Sequence, residues 1–110
     1  MKDAARNEAL FVQLVAMFQF AAMQQMGKIA NPVTNQIERD LAQARYSIDM
    51  VEMLHARTEG KRSRDESEFL DKVLFELRMN YLDEMKRTPD AEPGAGGTEP
   101  PLPGDADDAR

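Results

Sequence analysis

The sequence predicts an all-α fold: a three-helix module with a central apolar first helix, expected to assemble into an oligomeric helical bundle, followed by a disordered C-terminal tail. Three observations predict it. Three stretches repeat their apolar residues at the helical period of about 3.6. The two glycines and the one proline before residue 88 all fall between those stretches, where helices must break. Beyond Thr88, nine of 22 residues are Pro or Gly and hardly any are bulky and apolar, a composition that cannot offset chain entropy by burial. The expected division is a helical domain over 1–88, with helices near 3–27, 41–58 and 64–87, and an acidic tail over 89–110.

The first helix sets the architecture. From Ala9 to Gly27 run 19 residues without a charge, 14 of them apolar, and rich in the helix formers Ala, Leu, Met and Gln. It is expected to start near Asp3 and to stop at Gly27, which accepts the left-handed conformation of a helix cap. On a helical wheel, Leu10, Phe11, Leu14, Val15 and Phe18 cover one side, while Val12, Phe20 and Met23 cover the opposite one. Gln13 and Gln24 mark only a narrow polar seam, and a helix apolar nearly all round must be buried on nearly all sides.

The connector holds Asn31-Pro32, which prevents the helix from running on. Asp40 then precedes the stripe Leu41, Ala44, Ile48, Val51 and Leu54, with Gln43 placed for a capping box. Gly60 ends this second helix, and Ser63-Arg64-Asp65-Glu66 offers another capping box with acids in the positive first turn. The third helix carries Leu70, Val73, Leu74, Leu77, Tyr81 and Met85, and closes on Lys86 and Arg87, which suit its negative end.

Two helices with one stripe each shelter two sides of the first helix, and a third side is left over. Leaving it wet would forgo roughly 1.5 to 3 kcal/mol per large side chain, against a total stability of about 5 to 15 kcal/mol. The expected remedy is homo-oligomerisation, as a dimer or tetramer, with Val12, Phe20 and Met23 at the interface. The alternative is a membrane-associated protein, since about 20 apolar residues span a bilayer. Against it stand Gln13, Gln19, Gln24 and Gln25 within the segment, and flanking charges that oppose one another, Lys2 and Arg6 against Asp3 and Glu8.

Charge and composition exclude several function classes. Residues 1–88 carry 13 basic and 14 acidic side chains, so the helical part lacks the basic footprint of a nucleic-acid binder. Residues 89–110 carry one basic and six acidic side chains, which puts the acidity in the tail. The chain has no cysteine, which removes disulfides, thiolate zinc sites and thiol nucleophiles. No secretory or other targeting segment is read, because Asp3 and Glu8 interrupt the opening residues.

The sharpest chemical candidate is Glu52-Met53-Leu54-His55, since Glu-x-x-His puts both side chains on one helical face as di-iron bundles require. One copy is too few, and charge pairing with helix-end capping explains His55 better. No nucleophile elbow accompanies this single histidine; Ser47 reads as a surface residue, Ser63 as a cap and Ser67 as a first-turn residue. The Gly94–Gly97 cluster lacks the lysine, hydroxyl and following helix of a phosphate loop. Seven methionines besides Met1 read as core filling. Arg78, on the margin of the third stripe, is placed to pair with Glu52 or Asp49.

Over about residues 10–86 the chain resembles a small bacterial family catalogued as domain of unknown function 1844. The resemblance lies in Leu14-Val15, Gly27, Asn31-Pro32 with Thr34, the Ala44 to Asp49 segment and Met53-Leu54. Its most specific part is in the third helix, with Glu66, Leu74, Glu76-Leu77-Arg78 and Met79. The chain departs from the pattern at Asn35, where the family often has glycine, and at Arg57 and Lys61 around Gly60. The resemblance implies a compact helical module in bacterial cytoplasm and brings no activity, ligand or catalytic residue with it. The expectation is therefore a non-enzymatic self-association or partner-binding module, with no catalytic residue, metal or cofactor.

Overall fold

A computed structural model describes residues 2–87; the tail expected over 89–110 lies outside them. The chain forms α1 (Lys2–Gln25), α2 (Leu41–Arg57) and α3 (Arg64–Arg87), with no strand among the described residues. Each helix packs against both others, so the three form a triangle around one core. That core takes Val15, Ala22 and Met26 from α1, Leu41, Ala44, Ile48 and Val51 from α2, and Leu70, Val73, Leu74 and Leu77 from α3. Phe11, Phe18, Met23, Leu54, Phe69, Tyr81 and Met85 pack around its edge.

The local signals explain where each helix starts and stops. At the end of α1 the Lys28 N–H donates to the Met23 carbonyl at 2.9 Å and the Gly27 N–H to Gln24 at 3.0 Å. This is a Schellman cap, and it requires the left-handed backbone that Gly27 adopts at φ 83°. Asp40 caps α2 by accepting from the Gln43 N–H at 3.1 Å. The capping box expected here is only half formed. The Asp40 N–H is taken by the Gln25 carbonyl at 2.7 Å, which staples the connector to the end of α1. Ser63 and Glu66 form the complete box on α3: the Ser63 N–H donates to Glu66 Oε1 at 2.7 Å and the Glu66 N–H to Ser63 Oγ at 3.1 Å. Asp40→Ala is expected to lower the unfolding free energy by about 1 kcal/mol, measured by urea titration, because one N-terminal N–H of α2 loses its acceptor.

The connector is held by its own side chains. Asn31 Oδ1 accepts from the Val33 N–H at 2.8 Å, and the Asn31 N–H donates to the Gln36 carbonyl at 2.8 Å. Asn35 turns the chain at φ 60°, a left-handed position that asparagine tolerates in place of glycine. The α2–α3 turn is gathered by Arg62, which donates to the His55 carbonyl at 2.7 Å, to Thr58 Oγ1 at 2.8 Å and to Ser67 Oγ at 3.0 Å.

Three residues sit differently from the sequence reading. Ser47, read as a surface residue, is buried at 8% exposure, where its hydroxyl donates to Gln25 Oε1 at 2.7 Å. Leu10 and Leu14 do not share the buried side of Val15: they are 46% and 39% exposed, whereas Val15 is fully enclosed. The line of closest approach runs through Val15, Ala22 and Met26, which turns both leucines outward.

Candidate functional site

The feature that stands out on α1 is its outer side. Arg6, Leu10, Gln13, Met17 and Phe20 follow one another at alternating steps of four and three and all are exposed; Gln24, half-buried, continues the row. Leu10 is 46%, Met17 64% and Phe20 47% exposed, with Leu14 on the flank at 39%. Steps of four and three are those of a helix-pairing seam, in which successive side chains stay on one line along the helix. No charge interrupts the row between Arg6 and the end of the helix. Of the three residues expected at an interface, Phe20 lies on this face, Val12 is half-buried, and Met23 packs against the chain's own core.

A second apolar row lies on α3, where Phe75, Met79 and Leu82 are 64%, 52% and 55% exposed. Beside it, α2 and α3 enclose an open groove of about 300 Å³. Ile48, Tyr81 and Leu82 contribute its apolar surface, and Arg45, Asp49, Glu52 and Arg78 its charged groups. Arg78 Nε donates to Glu52 Oε2 at 3.0 Å across the helices, one of the two pairings that the sequence allowed. Both side chains are substantially exposed, so this pair fixes register more than it stabilises.

The strongest electrostatic cluster is one that periodicity did not reveal. Glu84, 3% exposed, sits where the end of α1, the connector and the last turns of α3 meet. Lys28 Nζ approaches its Oε2 at 2.8 Å, Arg39 Nε donates to Oε1 at 2.9 Å, and Arg87 Nη1 reaches Oε2 at 2.9 Å. Arg39 Nη2 also donates to the Glu84 carbonyl at 2.9 Å, so one guanidinium holds both the side chain and the backbone. The hydrogen bond from Lys28 leads in lowering the Glu84 carboxyl to about 2 from its ordinary 4.5; the Arg39 bond and nearby positive charge add to it, against the opposing effect of burial. Lys28 is raised above its ordinary value, chiefly by hydrogen bonds to Glu84 and then to Asp83. An anion so fully surrounded by the chain's own cations is a fastening between elements. The sequence signal was its position: Glu84 stands seven residues after Leu77, on the core stripe of α3.

The Glu52 and His55 pair is divided between different partners. Glu52 faces Arg78, while His55 Nε2 lies 3.2 Å from Asp71 and its Nδ1 lies 3.9 Å from Glu59. Among the described residues no three His, Cys, Asp or Glu side chains converge as metal ligands would. Among the same residues no helix is long and apolar enough to cross a membrane.

No curated protein and no solved structure matches the chain. A family model described as Domain of unknown function (DUF1844) matches residues 8–83, which take in most of α1, the connector, all of α2 and nearly all of α3. Most of the triangle of helices, its two capped turns and the outer row of α1 from Leu10 onward thus lie within a match that covers well over half of the sequence, and the chain belongs to this family of unknown function.

Proposed function

We propose that the chain is a non-enzymatic helical module whose α1 outer face pairs with the same face of a second copy. The observation that carries this reading is the exposed row Leu10, Met17 and Phe20, flanked by Leu14, on a helix side without acids or bases after Arg6. Burying a large apolar side chain is worth roughly 1.5 to 3 kcal/mol, and about half of that gain is unrealised for side chains that stay half wet. A two-fold axis lets the same row on two chains satisfy both at once. Gln13 and Gln24, spaced along the row, supply amides able to bond across the pair and to select its register. A bacterial cytoplasmic setting belongs to the same proposal, and a chain without cysteine suits a reducing compartment. The membrane-associated alternative has less support, since no helix of the described residues is long and apolar enough to span a bilayer.

Light scattering of the full chain in plain buffer, beside Phe20→Glu, tests the proposal. The expected result is a discrete dimer or larger species for the parent and a smaller, still helical species for the variant. Phe20 is 47% exposed within its own chain, so the charge penalises the pairing and spares the fold. A monomeric parent, or a variant that keeps the parent's mass, contradicts the proposal.

A further inference from the structure

The outer side of α3 carries information that α1 lacks. Glu68, Lys72, Phe75, Met79, Leu82 and Lys86 follow one another at steps of four, three, four, three and four, and all six are exposed. They lie opposite the buried line of Leu70, Val73, Leu77 and Glu84 on the same helix. The row is ordered by charge: Glu68 and then Lys72 at its N-terminal end, three apolar side chains next and Lys86 at its C-terminal end. Its steps are also the same read forwards or backwards, so the row is symmetric about Leu77.

We propose that this row is a second pairing surface, whose occupant is α3 of another copy lying antiparallel to it about a two-fold axis at the level of Leu77. In that register Phe75 of each chain meets Met79 of the other. Lys72 lays its methylene stem over Leu82, and Glu68 faces Lys86 at both ends. A parallel pairing sets Glu68 against Glu68, Lys72 against Lys72 and Lys86 against Lys86, and like charges at facing positions repel. Charge order therefore selects the antiparallel second copy. Glu68 already meets Arg64 of its own helix at 3.1 Å, but both side chains are largely in water, which leaves the carboxylate open to Lys86 of the other chain. The surface stands without the α1 contact. With both, two isologous interfaces close a four-chain assembly where their two-fold axes meet at right angles.

The chain has no cysteine, so introduced thiols report proximity without background. Full-length Glu68→Cys/Lys86→Cys, oxidised under mild conditions, is expected to give covalent dimers, because facing positions come within disulfide reach. Each single variant is expected to remain uncross-linked, because residues 68 of the two chains then lie about 27 Å apart along the helices. Dimers from the single variants as readily as from the double variant would overturn the antiparallel register, and an uncross-linked double variant would overturn the surface itself. Charge exchange gives an independent reading. Glu68→Lys and Lys86→Glu are each expected to weaken association about tenfold, and the double exchange to restore it.

Light scattering separates this surface from that of α1. Phe75→Glu is expected to halve the parent's mass and leave α1-paired dimers, while Phe20→Glu leaves α3-paired dimers. A parent mass unmoved by Phe75→Glu overturns the α3 surface alone. A mass halved by Phe75→Glu and unmoved by Phe20→Glu overturns the α1 reading alone.

Discussion

Glu84→Gln is expected to lower the free energy of unfolding by roughly 2 to 3 kcal/mol near neutral pH, because it removes the negative charge that Lys28, Arg39 and Arg87 share at the junction, and Lys28 keeps only Asp83 of its two carboxylates. The amide keeps the shape of the side chain, so the loss isolates charge from packing. A pH dependence accompanies it. The Glu84 carboxyl is lowered to about 2 in the fold from an ordinary 4.5, so its contribution is fully present above 4.5 and is lost as pH falls from there toward 2. Lys28 runs the other way: raised in the fold, it contributes below its ordinary 10.5 and loses that contribution as pH climbs past the raised value. Urea unfolding of parent and variant from about pH 2 to about pH 6 checks the acid limb. The parent is expected to converge on the variant as pH falls, and parallel curves would show that Glu84 does not fasten the junction.

Leu77→Ala is expected to cost about 2 to 5 kcal/mol, a large share of the stability of so small a domain. Leu77 is fully enclosed at the centre of the α3 stripe, so truncation leaves a cavity between three helices that are each held by the other two. The informative comparison is Phe75→Ala, two residues earlier on the same helix but 64% exposed. In dissociated chains that change is expected to alter unfolding by no more than about 0.5 kcal/mol. Denaturant titrations at a concentration low enough to keep chains apart measure both. A Phe75→Ala loss as large as that of Leu77→Ala would mean that the outer row of α3 serves the chain's own core and not an assembly.

Much of the fold was legible because its punctuation is local. Gly27, Asp40 and the Ser63-Glu66 pair each act on a neighbouring turn, and the structure shows each at a helix end, whereas Gly60 lies in the turn beyond Thr58, which caps α2. The stripes of α2 and α3 were legible because polar residues outline them. On α1 nothing outlines a stripe: with apolar residues around the whole circumference, its orientation follows from where α2 and α3 press against it. Leu10 and Leu14 consequently face outward and Met23 inward. Ser47 and Glu84 escaped for a related reason. Each is a polar residue on the buried side of a helix, explained chiefly by partners far along the chain, Gln25 for Ser47 and Lys28 with Arg39 for Glu84. Those partners sit at a helix end and in the connector, where no periodicity announces them.

The three-way packing has a mechanical consequence. In a triangle no helix has a private neighbour, so peeling away any one of them strips support from both others at once. The helices are thereby bound to melt together, with far-ultraviolet dichroism and tyrosine emission moving along one curve and slow amide exchange shared by all three. Early opening is expected at the helix termini and in the stretch around Val33 and Ile37, whose side chains already stand in water at 89% and 62% exposure. Three helices each braced by the other two resist bending among the described residues, so any message carried there is expected to be written in which surfaces are occupied rather than in a change of shape.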